Sequence, residues 1–112
     1  MTDYSKMSDF EINVAVLKLT DYYDEISPLS KIGSPVVAWG DGANWHEFDA
    51  CNSGKDAWPI IENHDIGIKK QTNGQWVATQ PGGKYPQYHK QPLRAAMIVF
   101  LMMKDAENAP AI

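Results

Sequence analysis

From Ala95 to Met103 nine consecutive residues are apolar, inside a segment that Pro92 opens and that reaches Glu107 without another proline or any glycine. Proline suits the first helical position, so the segment reads as a helix from Pro92 to about Glu107. Its apolar positions, Leu93 and Ala96 through Met103, go nearly all the way round the helical wheel. A helix of that kind must be covered on most sides. In a chain of 112 residues it is either the central core element or a contact between copies of the chain. Nine apolar residues are about half of the roughly 18–20 that a spanning helix needs, so no membrane segment is expected.

The remaining elements have to supply that cover. Ser8 followed by Glu11 is a capping-box pair, with Met7 and Ile12 as a hydrophobic staple. Apolar residues at 12, 15, 16 and 19 recur at helical spacing, with Asp9, Asn13 and Lys18 elsewhere on the wheel, which predicts an amphipathic helix over 9–20. Residues 24–35 read as loop through Pro28, Gly33 and Pro35. Val36–Trp39 and Trp45–Phe48 read as two short strands around the turn Gly40-Asp41-Gly42. Ser53 and Asp56 form a second capping pair, and Ala57, Trp58, Ile60 and Ile61 give a short helix face. Pro59 means that this helix either starts near Lys55–Asp56 or is kinked. The clearest hairpin joins Asp65–Gln71 to Gln75–Thr79 through Asn73-Gly74, which favours a type I′ turn. Gln80–Gln91, with two prolines and two glycines, reads as loop. The expected fold is α+β: a small antiparallel sheet with N-terminal and C-terminal helices packed on it and a short middle helix.

Composition removes several functional classes. With 44% hydrophobic and 21% charged residues the chain is not disordered. The single cysteine, Cys51, forms no internal disulfide and no secretory leader is recognisable, so a reducing, cytoplasmic setting is expected. The net charge of -4 excludes a uniformly basic coat. That charge is unevenly distributed. Residues 1–65 hold 12 acids and 4 bases, residues 66–104 hold 6 bases and no acid, and Asp105 and Glu107 follow.

Three segments carry a family resemblance: Tyr4-Ser5-Lys6-Met7-Ser8-Asp9-Phe10-Glu11-Ile12-Asn13; Phe48-Asp49-Ala50-Cys51-Asn52 with Asp56-Ala57-Trp58-Pro59-Ile60-Ile61; and Pro92-Leu93-Arg94-Ala95-Ala96-Met97 with Phe100-Leu101-Met102-Met103. In this order they resemble the NinX-like small proteins of temperate phages and prophages of enteric bacteria. The resemblance implies a single NinX-like domain over residues 1–112 and a phage accessory protein. It supplies no activity, cofactor or catalytic set; the grouping with phage replication and recombination genes is one of genomic association.

Two surfaces are candidates for binding. Lys69, Lys70, Lys84, Tyr85, Tyr88, His89, Lys90 and Arg94 combine positive charge with stackable rings, the pairing used by single-strand binders. The plain alternative is solvated lysines and tyrosines capping the core, with the acids of the first half neutralising the field. Trp39 and Trp45, together with Met97, Met102 and Met103, would form an adaptable protein interface, although most tryptophans are expected in the core. His46, Glu47, Asp49 and Cys51 include metal ligands but lack finger-like spacing, so no metal is expected. A helix start after Cys51 is a feature that lowers a thiol pKa, but a buried, inert free cysteine is the commoner outcome and the one expected, and no catalytic constellation accompanies it. Gly40-Asp41-Gly42 and Gly82-Gly83-Lys84 lack the spacing of phosphate loops. The expectation is a non-enzymatic module without cofactor, binding a host or phage protein, or alternatively single-stranded nucleic acid through residues 66–94. Self-association through the C-terminal helix is also expected.

Overall fold

The apolar C-terminal helix lies at the centre of the molecule. The computed structural model describes residues 3–20, 25–27 and 34–108. The elements are α1 (Asp9–Leu17), β1 (Glu25–Ile26), β2 (Val37–Gly40), β3 (Trp45–Phe48), α2 (Gly54–Asn63), β4 (Gly67–Lys70), β5 (Trp76–Gln80), β6 (Lys84–His89) and α3 (Pro92–Asn108), with a 3-10 turn at Tyr4–Lys6. Every residue from Arg94 to Leu101 is buried. α3 touches α1, α2 and all three strands of the second sheet. The all-round apolar pattern is therefore accounted for within one chain, with no second copy needed to cover it.

α1 starts as the sequence predicts. The Ser8 Oγ accepts from the Glu11 N–H, and the Ser8 N–H donates to Glu11 Oε1, both at 3.1 Å. The helix ends three residues earlier than expected, and its buried stripe is Ile12, Asn13, Val16 and Leu17. Leu19 is 41% exposed. The inward face is thus rotated towards Asn13, a polar residue that the apolar spacing had placed outside.

α2 begins at Gly54 and runs through Pro59. Proline has no N–H, so the Lys55 carbonyl lacks its usual helical donor. The second capping pair does not form: Ser53 makes no side-chain cap, and Asp56 Oδ2 instead accepts from the Asp49 N–H at 2.9 Å. The helix ends in a Schellman arrangement, with Ile66 N–H donating to the Ile61 carbonyl (3.1 Å) and Asp65 N–H to the Glu62 carbonyl (3.4 Å). Asp65 takes the left-handed position, at φ 52°.

The described residues form two three-stranded antiparallel sheets, ordered β1-β2-β3 and β4-β5-β6. In the first, Gly40 sits where a Cβ would meet the Asn44 carbonyl oxygen at 2.0 Å. The turn is held by the Asp41 carboxylate, which accepts from the Ala43 and Asn44 N–H groups at 2.9 and 2.8 Å. These two bonds hold the Asp41 carboxyl below its ordinary pKa. Of the loop expected over 24–35, residue 24 and residues 28–33 lie outside the described residues, and β1 occupies 25–26.

In the second sheet the β4–β5 turn differs from type I′. Only Gly74 has positive φ (88°); Gly74 N–H donates to the Gln71 carbonyl and Gln71 N–H to the Gln75 carbonyl. That is a three-residue loop with glycine at its left-handed position. Gln80–Gln91 is also not a loop: Lys84–His89 forms β6, paired with β5.

Candidate functional site

A polar network lies where α1, the β3–α2 connection and α3 meet. Asn13 is fully buried. Its Nδ2 donates to the Pro35 carbonyl (2.8 Å) and Asp49 Oδ1 (2.7 Å), and its Oδ1 accepts from the Cys51 N–H (3.0 Å). Asn52 Nδ2 bridges Asp49 and Asp9. Arg94 closes the network, donating to Asp9 Oδ1 (2.7 Å) and to the carbonyls of Ser5 (3.1 Å) and Met7 (2.7 Å). All three segments that carry the family resemblance contribute to it. That coincidence was the signal that could have located the network in advance.

This placement corrects the role expected of Arg94. It is 7% exposed and ion-paired with Asp9, so it anchors α3 to α1 and offers no guanidinium to a phosphate. His89 is half-buried beside it. Burial, then the neighbouring Arg94 charge, lowers the His89 pKa, and its Nδ1 accepts from the Gln91 N–H at 2.9 Å. Lys69, Lys70, Lys84 and Lys90 are all exposed, and none forms a salt bridge among the described residues. Lys70 reaches over the Trp76 ring, with Nζ 5.9 Å from the centroid. A single ion pair among the described residues, Asp9–Arg94, joins the acidic first part of the chain to the basic second part.

Register decides which of these groups share a face. Ile68, Ala78 and Gln87 form one cross-strand row, and Ala78 is in the core. The next row, Lys69–Val77–Tyr88, therefore lies on the outer face. Ala78 opposes Gln87 and Gln80 opposes Lys84, so two residues of β6, Tyr85 and Pro86, stand against the single Thr79. This is a bulge, and it puts Tyr85 and Pro86 at register positions on the Thr79 face, which is also the face of Tyr88. Without the extra residue, Tyr85 and Tyr88 would alternate to opposite faces. Tyr85 adopts φ 52°, a left-handed conformation uncommon outside glycine. The two tyrosines are 62% and 57% exposed.

The expected protein interface is dispersed. Met97 is fully buried, Met102 and Met103 pack against the core, and Trp39 shares the core face of the first sheet with His46, ring centroids 4.6 Å apart. Trp45 lies on the opposite face, 47% exposed. Of the four tryptophans, Trp39 packs against the core and Trp76 is half-buried, while Trp45 and Trp58 are exposed, so fewer lie in the core than expected; Trp58, 53% exposed, donates to Glu62.

Cys51 is buried, and burial followed by the Asp9 charge pushes its thiol up to about 12, the reverse of the activation that a helix start would give. A cleft of about 550 Å³ between α2, α3 and the end of α1 includes Thr20, His64 and Phe100. There the Thr20 hydroxyl donates to the Leu17 carbonyl and His64 Nδ1 bonds the Ile60 carbonyl. Among the described residues no helix is long and apolar enough to cross a membrane. No curated protein matches the chain. Residues 3–104 match the family described as Bacteriophage P22, NinX, and the chain belongs to that family of phage proteins.

Proposed function

We propose that this phage accessory protein is a non-enzymatic binding module of the host cytoplasm whose ligand is single-stranded nucleic acid, held on the outer face of the second sheet. The observation that carries the reading is the bulge that sets two exposed tyrosines on one face. Lys69 lies in the Tyr88 row and Lys90 follows β6, while Lys84, the first residue of β6, pairs with Gln80 in the alternate row at the strand's end. Rings give unpaired bases a stacking platform and lysines neutralise the phosphates between them. The sequence from 66 to 104 has no carboxylate to oppose this field.

Fluorescence anisotropy with a labelled oligothymidylate tests the reading. Three or four neutralised phosphates give a salt slope of roughly -2 to -3, so raising salt from 50 to 200 mM weakens binding roughly 20- to 50-fold. Tyr85→Ala or Tyr88→Ala lowers affinity by about 1–3 kcal/mol. Binding that is absent at low salt, or indifferent to both tyrosines, contradicts it. A protein-binding reading is favoured separately by the exposure of Trp45 and Trp58.

A further inference from the structure

The first sheet has the opposite character. Glu25, Gly40 and Trp45 form one cross-strand row, and Ala38 and Glu47 are paired in the next. Val37 and Phe48 of the alternate rows are core residues, so Glu25, Trp45 and Glu47 share the outer face. All three are exposed, and neither carboxylate has an ion-pair partner among the described residues. An exposed indole that shares a face with two carboxylates suits ammonium or guanidinium groups, taken by the ring face or by the acids.

Among the described residues the backbone beside this face is also open. Ser27 N–H donates to the Ala38 carbonyl, so the polar groups of Ala38 point to β1. Those of Val37 and Trp39 therefore point to β3, and the opposed pairs Trp39–His46 and Val37–Phe48 are the hydrogen-bonded ones. The Asp41 N–H to Asn44 carbonyl bond at the turn has the same phase. By alternation, the N–H and carbonyl groups of Trp45 and Glu47 face away from the sheet. Other edges are guarded: β6 contains Pro86, a bulge and Lys84, β4 ends in Lys69-Lys70, and β1 has two residues. β3 has no proline, lysine or bulge, and an exposed edge of that kind is a template for another strand.

We infer that the β3 edge and the outer face of the first sheet dock an extended basic segment of a protein partner, with lysine or arginine at alternate positions. Strand addition supplies the main-chain bonds. Side chains opposite Trp45 and Glu47 fall on the carboxylate face, and those between them lie beside His46 and Phe48, where apolar residues fit. The inference rests on the protein-binding reading and not on the nucleic-acid one.

The probe is a short labelled peptide of alternating lysine and valine, with the glutamate–valine peptide as control, titrated into the full chain. The lysine peptide binds and the glutamate peptide does not. Glu25→Gln with Glu47→Gln weakens binding by about tenfold or more, as does Trp45→Ala, while oligothymidylate affinity is held or raised. Amide hydrogen exchange at Trp45 and Glu47 slows in the complex. No binding of the lysine peptide, or binding that ignores both the paired glutamates and Trp45, overturns the inference. So does self-association of the protein alone that the same substitutions abolish, since the occupant is then a second copy. Loss of oligothymidylate binding in the wild type, with peptide binding retained, contradicts the nucleic-acid reading only.

Discussion

Asn13 makes three hydrogen bonds from a fully buried position, to Pro35, Asp49 and Cys51, and Arg94 makes three more to Asp9, Ser5 and Met7. Buried amide and guanidinium groups are tolerated only when their donors are met, and here they are. The network holds the N-terminal turn, the β3–α2 connection and the start of α3 together. Arg94→Met removes the donor of Asp9 Oδ1 and of two carbonyls and leaves Asp9 only its bond from Asn52. It should cost about 3 kcal/mol, the low end for breaking a buried pair because Asp9 keeps some exposure. Thermal unfolding then falls by roughly 10 °C or more, while oligothymidylate affinity stays within about threefold, one neutralised phosphate at most. A large loss of affinity with unchanged melting would put Arg94 back among the binding residues. The sequence could not separate these roles, because the partner, Asp9, is 85 positions away and charge alone does not say what faces it.

Among the elements, those signalled by local chemistry were legible. The capping box of α1, Pro92 at the start of α3 and the Asn73-Gly74 hairpin all rest on short-range backbone preferences. What failed depended on tertiary context. β6 read as loop because Pro81, Gly82, Gly83 and Pro86 break the strand pattern; pairing with β5 overrides it, and the bulge absorbs the misfit. The inward turn of α1 was misjudged because Asn13 counts as polar on a wheel, although its amide is satisfied inside. The bulge carries a cost that can be measured. Tyr85 sits at φ 52°, where a side chain is strained by about 1 kcal/mol relative to glycine. Tyr85→Gly should therefore raise stability by about that amount in urea denaturation while weakening oligothymidylate binding. If stability falls instead, the left-handed residue is not held against its preference. If binding is unchanged, the tyrosine is not there for a ligand.

Across the whole molecule the sequence's uneven charge becomes a division between sheets. The exposed acids Glu25, Asp41 and Glu47 belong to the first sheet and its turn, and Lys69, Lys70 and Lys84 to the second. Only the buried Asp9–Arg94 pair links the two halves by a salt bridge among the described residues. The net charge of -4 conceals this, because it sums over faces that do not neutralise each other by contact. α3 lies across the second sheet and carries α1 and α2 on its remaining sides; on the outer face of that sheet Lys69, Tyr85 and Tyr88 are exposed, with Val77 buried between Lys69 and Tyr88. The central claim is that this face, and not the first sheet, receives single-stranded nucleic acid. Amide chemical-shift mapping with a short oligothymidylate tests it most directly. The account predicts shifts at Lys69, Tyr85, Tyr88 and Lys90, with Trp45 and Glu47 unmoved. Shifts centred on the first sheet, or none at low salt, would contradict it.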